Sequence, residues 1–530
     1  MPGKGFPYSS HFGPLVGIYF HILQNYNKLF NYRYQIFRKF DNTFNFLKKG
    51  NAALLPLNDV KKTGCSIHYT FLLVLYKKVM DRTLIEKALK YHSENKAGKI
   101  EVQPSKQVKT PEELSLAYSP GVAAPAMEID KERWKAYRYT NKGNLVAVIS
   151  NGSAVLGLGN IGALASKPVM EGKSMLFKLY ADIDAFDIEL SDEDSDRLIA
   201  TVQALSPTFG GINLEDIKAP ECFYIEERLR SLLDIPVLHD DQHATAATVA
   251  AALINACEIT DKKMENVRCV ICGAGSAGIS TARMLLALGL DKKHLTMIDS
   301  KGVITEKRTD ISGYKKEFAS LRDISTLDDA MRDADVFIGL SKGNILNDDA
   351  VMSMSENPII FALANPIPEI EYAHAKSIRP DAIVATGLSN HPNQINNVLA
   401  FPYLFRGALD TLSTTINDKM LIAAAYSIAA LARKETPKEV EERYKRKLSF
   451  GREYLLPTPG DPRLITEVSM AVAKAAMESG VARRKIVSFK EYAESLLQRI
   501  DNENYFARER IHRKNTRRMN VNNSSREHEF

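Results

Sequence analysis

The sequence predicts an α/β protein that contains a Rossmann-type nucleotide-binding sheet. Short apolar segments alternate with helical ones over much of the 530-residue chain, a rhythm typical of parallel sheets with crossover helices. One apolar segment, 267–271, runs into a G-x-G-x-x-G loop formed by Gly273, Gly275 and Gly278. Helical patterns dominate after residue 408.

The composition excludes several classes of protein. The chain is 45% hydrophobic and 25% charged, which is ordinary for a globular protein. Its net charge of +6 arises in residues 1–79, which hold 11 Lys+Arg and 2 Asp+Glu, whereas the remainder holds 59 basic and 62 acidic residues. We therefore expect no nucleic-acid partner. No apolar run approaches the roughly 18 residues of a membrane span, so we expect no membrane partner either.

Five cysteines at irregular spacing do not form a disulfide framework, which favours a reducing, cytoplasmic location. Cys269 and Cys272 form a C-x-x-C pair inside a predicted strand. Residues three apart on a strand face opposite sides, so this pair is predicted to be two small buried residues rather than a metal or redox site.

The two ends of the chain differ from its body. Segment 1–79 is basic and aromatic without a regular period, and we interpret it as a poorly ordered extension or as translated upstream sequence. A helix is predicted to begin near Met80, with Asp81 as its cap. Segment 501–530 is polar and is expected to be disordered.

Between these ends, eight short apolar runs bounded by polar or turn residues are predicted to be strands. They are 145–149, 175–179, 236–238, 267–271, 295–298, 336–338, 359–363 and 382–385. The glycine-rich loop is followed by a predicted helix over 279–288.

The glycine-rich loop predicts a dinucleotide site, because its glycines permit a tight turn, approach to a pyrophosphate and close helix packing. The loop residues are Gly273, Ala274, Gly275, Ser276, Ala277 and Gly278. Asp299 ends the next strand, where an acidic residue accepts a hydrogen bond from a ribose 2′-hydroxyl and favours NAD. Lys301 could instead meet the 2′-phosphate of NADP, so the preference stays open with a slight lean to NAD.

Acidic residues follow two predicted strands. Glu215 and Asp216 close a further predicted strand that begins at Gly211, and the segment 239–243, which includes Asp241, follows the predicted strand 236–238. Alone, each group could be a helix cap or a solvated turn. Because the carboxyl ends of parallel strands share one edge of a sheet, together they predict a site for Mg²⁺ or Mn²⁺, which prefer carboxylate ligands.

Lys173 precedes the predicted strand 175–179. Burial there could lower its pKa enough for it to act as a base, although a lysine stem lying along the surface fits the pattern too. Tyr118 lies in a predicted turn, where most tyrosines serve only in packing.

Seven segments resemble the motifs of bacterial-type malic enzymes, in the same order along the chain. They are 116–125, 156–162, 167–173, 207–216, 239–243, 362–366 and 392–398. The resemblance implies a substrate and metal domain over 80–258 and an NAD(P)-binding domain over 259–500, whose C-terminal helices pack back. The phosphotransacetylase-like domain of some relatives is not expected.

The resemblance also implies residue roles. Tyr118 would be the general acid and Lys173 the general base. The metal ligands would be Glu215, Asp216 and Asp241. The residues in contact with cofactor or substrate would be Asn365, Asn396 and Asn397, in a homodimer or a higher homo-oligomer.

The activity implied is the metal-dependent oxidative decarboxylation of L-malate to pyruvate and CO₂, with reduction of NAD or NADP. Two alternative functions are also compatible with the sequence. A malolactic-type enzyme would use the same residues but retain its cofactor and release lactate. A non-catalytic nucleotide-binding regulator would be expected to have lost the residues named above, and all of them are present.

Overall fold

The computed structural model describes residues 82–94, 96–155, 157–191, 194–311 and 313–500. The predictions made for segments 1–79 and 501–530 lie outside these residues, as do Met80 and Asp81. The expected helix begins at Arg82 and ends at Ser93. The domain boundaries at 80, 258 and 500 stay predictions.

A four-stranded parallel sheet forms the centre of the first half, with the strand order β2-β1-β3-β4. Its strands are β1 (Leu145–Ser150), β2 (Asp184–Glu189), β3 (Gly211–Leu214) and β4 (Val237–His239). The first-half helices are α1 (Arg82–Ser93), α2 (Pro111–Ala117), α3 (Ala123–Lys131), α4 (Ala136–Tyr139), α5 (Ala163–Ala181), α6 (Ser195–Leu205), α7 (Glu221–Leu232) and α8 (Asp240–Ile259).

A six-stranded sheet forms the second half, with the order β10-β9-β8-β5-β6-β7. Its strands are β5 (Cys269–Cys272), β6 (Leu295–Asp299), β7 (Gly302–Val303), β8 (Val336–Gly339), β9 (Ile359–Ala362) and β10 (Ile383–Thr386). All neighbours are parallel except β6 and β7. The chain leaves β5 toward β6 on one side and returns to β8 on the other, so the topological switch point lies beside β5, where ligands of such sheets bind.

Helices cover the second sheet and continue to the end of the described chain. They are α9 (Ser276–Ala287), α10 (Leu327–Met331), α11 (Asp348–Met352), α12 (Tyr372–Ile378), α13 (Phe401–Asp410), α14 (Asp418–Ala432), α15 (Lys438–Tyr444), α16 (Arg463–Glu478) and α17 (Phe489–Ile500). Short 3₁₀ turns occur between them, including one at Asn397–Leu399.

The C-terminal helices pack back on the first half, as the resemblance implied. The Phe177 ring on α5 contacts Phe401 and Phe405 of α13 edge to face, with ring centroids 4.8 and 5.3 Å apart. Gly211 at the start of β3 leaves room for Phe405, whose ring would lie 3.0 Å from an added Cβ. One hydrophobic core therefore joins the first sheet, α8 and the C-terminal helices.

The predicted strand 175–179 is wrong, because these residues lie inside α5. Buried residues recur along α5 at helical spacing, at Met170, Ser174 and Phe177, and place one face of the helix on the sheet. A five-residue apolar run is too short to distinguish a strand from a buried helix. The prediction also missed β2, whose Asp and Glu residues interrupt the apolar pattern.

The other predicted strands are confirmed to within two residues at each end. Within the described ranges, no helix combines the length and the hydropathy needed to cross a membrane.

Candidate active site

The three predicted metal ligands come together at the carboxyl edge of the first sheet. Glu215 and Asp216 directly follow β3, and Asp241 lies in the first turn of α8, directly after the neighbouring strand β4. One ligand oxygen from each lies within 4.8 Å of the other two. Three converging carboxylates are a donor set that suits a hard divalent cation such as Mg²⁺ or Mn²⁺.

The backbone around these carboxylates fixes their arrangement. Asp216 adopts a left-handed conformation with φ 53°, and its N–H donates to Asp241 Oδ2 at 2.9 Å. The amide of Asn213 donates to Glu215 Oε2 at 2.9 Å. The loop after β3 and the start of α8 are thus joined through the cluster itself.

Lys173 reaches the same cluster from α5. Its Nζ lies 2.9 Å from Glu215 Oε1 and 2.7 Å from Asp240 Oδ2, and it stands 4.2 Å from the centroid of the Phe401 ring. Only 7% of Lys173 is exposed. Sequence reasoning did not assign Asp240 a role, although its place beside Asp241 was the available signal.

The charges in this cluster do not balance. With every group ionised, the four carboxylates of Glu215, Asp216, Asp240 and Asp241 face one ammonium, which leaves three negative charges in a largely buried space. Like charges this close repel strongly at low dielectric. A divalent cation fits the cluster because it would offset most of this excess.

The same excess shifts the pKa of Lys173. Burial lowers the pKa of the ammonium, as expected from the sequence, but Asp240 and Glu215 outweigh burial and raise it above its usual range. The expected net lowering is therefore wrong for the cluster of protein groups. Burial raises the pKa of the Glu215 carboxyl, the charge of Lys173 opposes that shift, and the neighbouring carboxylates add to it.

Two of the predicted substrate contacts lie at the 3₁₀ turn before α13, and one of them reaches this cluster. The Asn397 amide donates to Asp240 Oδ2, which places Asn397 beside Lys173. Asn396 instead accepts a hydrogen bond from the Val398 N–H at 2.9 Å and so caps the turn. A substrate role for each asparagine stays a prediction.

Tyr118 does not reach the cluster within this chain. It caps the C-terminal end of α2, and 72% of it is exposed. Lys173 Nζ donates a hydrogen bond to Asp240 and forms an ion pair with Glu215. The predicted acid and the predicted base are therefore apart in a single chain.

The predicted dinucleotide loop connects β5 to α9. Gly273 has φ +123°, and a Cβ there would lie 2.3 Å from the carbonyl oxygen of Leu340. A Cβ on Gly278 would lie 1.7 Å from the carbonyl oxygen of Gly273. By contrast, a Cβ on Gly275 would meet no atom within 4 Å, so open space lies where the backbone would meet a pyrophosphate. The loop therefore fits a dinucleotide.

Asp299 ends β6 beside this loop, and basic side chains surround it. Arg308 Nη1 lies 2.8 Å from Asp299 Oδ1, and Lys315 Nζ lies 2.9 Å from Oδ2. Partial burial raises the pKa of Asp299, but hydrogen bonds from Arg308, the Lys301 N–H and Lys315 lower it to about 2. The Lys301 ammonium pairs with Asp310 at 2.8 Å. Sequence reasoning identified Lys301 but missed Arg308, which lies in a loop, and Lys315, which lies in the 3₁₀ turn Gly313–Phe318.

Asn365 follows β9 at the carboxyl edge of the second sheet. Its amide donates to the Leu363 carbonyl at 3.3 Å. A Cβ on Gly157, which belongs to a loop of the first half, would lie 3.3 Å from the Asn365 carbonyl oxygen. Loops from the two halves therefore meet at Asn365, which places it between the two sheet edges.

Glu369 is a buried residue of this region that sequence reasoning missed. Its Oε1 accepts a hydrogen bond from the Ser341 N–H at 3.1 Å, and its Oε2 accepts one from the Ala364 N–H at 3.0 Å. The carboxylate thereby joins the loops that follow β8 and β9. No motif in the sequence distinguishes it from a surface glutamate.

The interpretation of the C-x-x-C pair is confirmed. Cys269 and Cys272 are buried on opposite faces of β5 and belong to two different hydrophobic clusters. Burial raises the pKa of the Cys269 thiol, which is typical of an inert buried cysteine.

Comparison with known proteins is in accord with this geometry. The family model described as "Malic enzyme, N-terminal domain" matches residues 97–193 and 189–230. The model described as "Malic enzyme, NAD binding domain" matches residues 243–444. The first match includes Lys173, Glu215 and Asp216, and the second includes the glycine-rich loop. Asp240 and Asp241 lie between the two matches.

Individual relatives extend the likeness along most of the chain. A probable NADP-dependent malic enzyme of Rickettsia prowazekii is 53% identical over 438 residues, which are 82% of this chain and 57% of that protein. The chain thus spans little more than half the length of that relative. An NADP-dependent malic enzyme of Halomonas elongata is 52% identical over 398 residues, which are 75% of this chain and 94% of that protein.

A solved structure shows the same fold. The malic enzyme of Pyrococcus horikoshii is 42% identical and superposes with a TM-score of 0.73, over 80% of this chain and 97% of that one.

Proposed function

The chain belongs to the malic enzyme family, and on that premise we propose that it converts L-malate to pyruvate and CO₂ with reduction of NADP. The observation that carries the proposal is the position of Lys173, a buried amine that contacts Glu215 at the edge of the three-carboxylate cluster. A base beside a divalent-cation site is what oxidation of a 2-hydroxy acid requires.

Glu215, Asp216 and Asp241 would hold the metal, and the loop from Gly273 to Gly278 would hold the dinucleotide. When bound, the cation acts as a Lewis acid toward the substrate oxygens and the nicotinamide accepts a hydride.

Lys173 Nζ takes the proton of the malate C2 hydroxyl in this proposal. To do so the amine must first be neutral, and its hydrogen bond to Asp240 Oδ2, 2.7 Å long, offers a path for the displaced proton. Asn397 donates to the same carboxylate and so helps to keep Asp240 oriented toward the amine. The raised pKa of Lys173 means that this proton must be displaced during the reaction.

The remaining steps are the loss of the C2 hydride, decarboxylation and protonation of C3. The hydride leaves C2 as the C2 oxygen becomes a carbonyl, the C3–C4 bond breaks, and CO₂ departs. The electron pair of that bond remains on the three-carbon product as an enolate, and C3 then receives a proton. Tyr118 Oη is the group proposed to donate it.

We infer a preference for NADP over NAD from the surroundings of Asp299. Its carboxylate is already engaged by Arg308 and Lys315 and is less available to a ribose 2′-hydroxyl. Both cations reach the space beside it, where they would pair with a 2′-phosphate. This inference replaces the slight lean toward NAD that Asp299 alone suggested.

The test is to follow the nicotinamide absorbance with L-malate, Mn²⁺ and either NADP or NAD. We expect reduction of NADP at lower cofactor concentration than NAD, with one pyruvate formed per NADPH. Lactate without net NADPH would support the malolactic alternative instead. No turnover with either cofactor would contradict the proposal.

The metal ligand Asp241 gives a sharper version of the test. Asp241→Asn should reduce turnover by ~100-fold or more, because it removes one of three anionic ligands, and high Mn²⁺ should restore part of it. Asp323→Asn, at an exposed position in the second half, is the matched control and should leave turnover unchanged. Full activity in excess chelator would exclude the metal from the reaction.

A further inference from the structure

Helix α8 begins at the carboxylate cluster, and the side chain of Glu226 contacts that beginning from the neighbouring helix α7. Glu226 Oε1 accepts a hydrogen bond from the His239 N–H at 3.0 Å, and Glu226 Oε2 lies 2.8 Å from His243 Nε2. His239 directly precedes α8, and His243 is the fourth residue of the helix. Asp240 and Asp241 lie between these two contacts, so one side chain holds the backbone on both sides of them.

Glu226 is a buried carboxylate whose two oxygens are both used on α8. It is only 4% exposed and lies on the face of α7 that also buries Cys222 and Leu229. Burial raises the pKa of the Glu226 carboxyl, but the charge of His243 and its hydrogen bond outweigh burial and hold that pKa below its usual range. A buried charge is costly unless it is paired and hydrogen-bonded, and here both partners belong to the start of one helix.

The start of α8 lacks a cap of its own. Among the described residues, the His239 side chain forms no capping hydrogen bond, and neither nitrogen of its buried ring has a hydrogen-bond partner. His239 Nδ1 lies 3.8 Å from Asp241 Oδ2, which is too far for a hydrogen bond. Glu226 instead accepts the N–H that the glutamate of a capping box would accept, and it does so from another helix.

From these contacts we propose that Glu226 is a positioning residue of the metal site. By fixing the first turn of α8, it keeps the Asp241 carboxylate close to those of Glu215 and Asp216. The inference rests on the proposed function in one respect, namely that these three carboxylates hold the divalent cation. Glu226 itself does not belong to that group of ligands, so it acts through α8.

The test measures Mn²⁺ affinity in two variants of Glu226. Glu226→Leu removes both acceptor oxygens and should weaken Mn²⁺ binding by ~10–100-fold, the usual effect of losing a group that orients a metal ligand. Glu226→Gln should recover most of the affinity. Its oxygen can still accept from the His239 N–H, and its amide can donate to His243 in the tautomer whose Nε2 is an acceptor.

Mn²⁺ binding is followed on the full chain without substrate, from the electron paramagnetic resonance signal of the free ion. NADP binding is measured on the same proteins by calorimetry and should not change, because the glycine-rich loop lies on the other sheet. In turnover assays, Glu226→Leu should need ~10–100-fold more Mn²⁺ for half of its maximal rate, with a kcat at saturating Mn²⁺ close to that of wild type. A merely structural role would not separate these quantities.

Glu227→Leu is the matched control, one residue further along α7. Glu227 is exposed, and its Oε2 accepts a hydrogen bond from Tyr314 Oη at 3.2 Å. The same substitution there should leave the affinities for Mn²⁺ and NADP unchanged. If Glu226→Leu does not fold, Glu226→Asp takes its place, because a side chain one carbon shorter withdraws both oxygens from α8 and should also weaken Mn²⁺ binding.

The outcomes separate this inference from the proposed reaction. A folded Glu226→Leu that binds Mn²⁺ as tightly as wild type would overturn the inference, and so would an equal loss of affinity for NADP. Wild-type protein that binds no Mn²⁺ would overturn both the inference and the metal site. Wild-type protein that binds Mn²⁺ but does not turn over malate would contradict only the proposed reaction, and weaker Mn²⁺ binding by Glu226→Leu would still support the role of Glu226.

Discussion

The two sheets each end in a site, but they build it from different materials. At the first sheet, the site consists of charged side chains, with Lys173 held between Glu215 and Asp240. At the second sheet, it consists of backbone, and the decisive feature is the absence of side chains at Gly273 and Gly278. The first site is constrained by charge and the second by space.

In both sites the features that function needs oppose stability, but for different physical reasons. The carboxylates gathered at the first sheet outnumber the Lys173 ammonium and repel one another unless a divalent cation is bound, so the fold bears an electrostatic cost there. The glycine loop bears a steric limit instead, because helix α9 packs so closely on β5 that one extra carbon does not fit at Gly278. Removing a carboxylate from the first site should therefore raise the free energy of unfolding. Adding a side chain at Gly278 of the glycine loop should lower it.

The largest expected effect comes from Gly278→Ala. The new Cβ would lie 1.7 Å from the Gly273 carbonyl oxygen, which is backbone and cannot move without displacing β5 or α9. Overpacking of a tight site costs about 1–3 kcal/mol or more, and we expect the upper end or failure to fold. The measurement is the free energy of unfolding from denaturant titration, together with NADP binding by calorimetry.

Gly275→Ala is the matched control in the same loop. Its Cβ would meet nothing within 4 Å, and its φ of −92° suits any residue. We expect its free energy of unfolding to stay within about 1 kcal/mol of wild type, as the cost of most substitutions lies near that value or below. NADP binding should nevertheless weaken, since the methyl group would occupy the approach to the pyrophosphate. Equal destabilisation of both variants would contradict the steric account.

This contrast also explains how much could be predicted from the sequence. Backbone sites have strict residue requirements at fixed spacing, so Gly273 and Gly278 were identifiable from the pattern itself. The pair Glu215 and Asp241 was identifiable because parallel strands bring their carboxyl ends to one edge. Both predictions depend on general rules of α/β structure that hold whatever the packing of the rest of the chain.

What could not be predicted depends on long-range packing. The apolar run at 175–179 was misassigned because a short buried segment looks the same in a helix and in a strand. The net charge around Lys173 depends on Asp240, which is distant in sequence, and so the direction of its pKa shift was missed. Arg308 and Glu369 act across loops whose course the sequence pattern does not determine.

A buried carboxylate beside the second sheet is expected to show an intermediate effect. Glu369 accepts two backbone N–H groups, from Ser341 and Ala364, and faces no cluster of like charges. Glu369→Gln keeps the shape but replaces one acceptor oxygen with a donor, which leaves a buried N–H without its partner. We expect a loss of about 1–3 kcal/mol in the free energy of unfolding. Glu371→Gln, two residues away and exposed, should show no comparable loss. A neutral Glu369→Gln would mean that water replaces the lost bond.

The smallest expected effect has the opposite sign and lies in the first sheet. In excess chelator, Asp241→Asn should raise the free energy of unfolding by about 1 kcal/mol, because it removes one of several neighbouring like charges. An asparagine Oδ1 can still accept the hydrogen bond from the Asp216 N–H, so the loop geometry has no reason to change.

Added Mn²⁺ should make the wild-type protein more stable than Asp241→Asn. A cation at 100 times its Kd stabilises the wild-type protein by roughly 2.7 kcal/mol, whereas Asp241→Asn, with one anionic ligand fewer, should gain much less. Thermal unfolding of both proteins across a Mn²⁺ titration would therefore show two curves that cross. If Asp241→Asn is already less stable than wild type in chelator, the hydrogen bond from Asp216 outweighs the repulsion among the carboxylates. In that case the first-sheet site would be limited by geometry, as the glycine loop is, and the contrast between charge and space would fail.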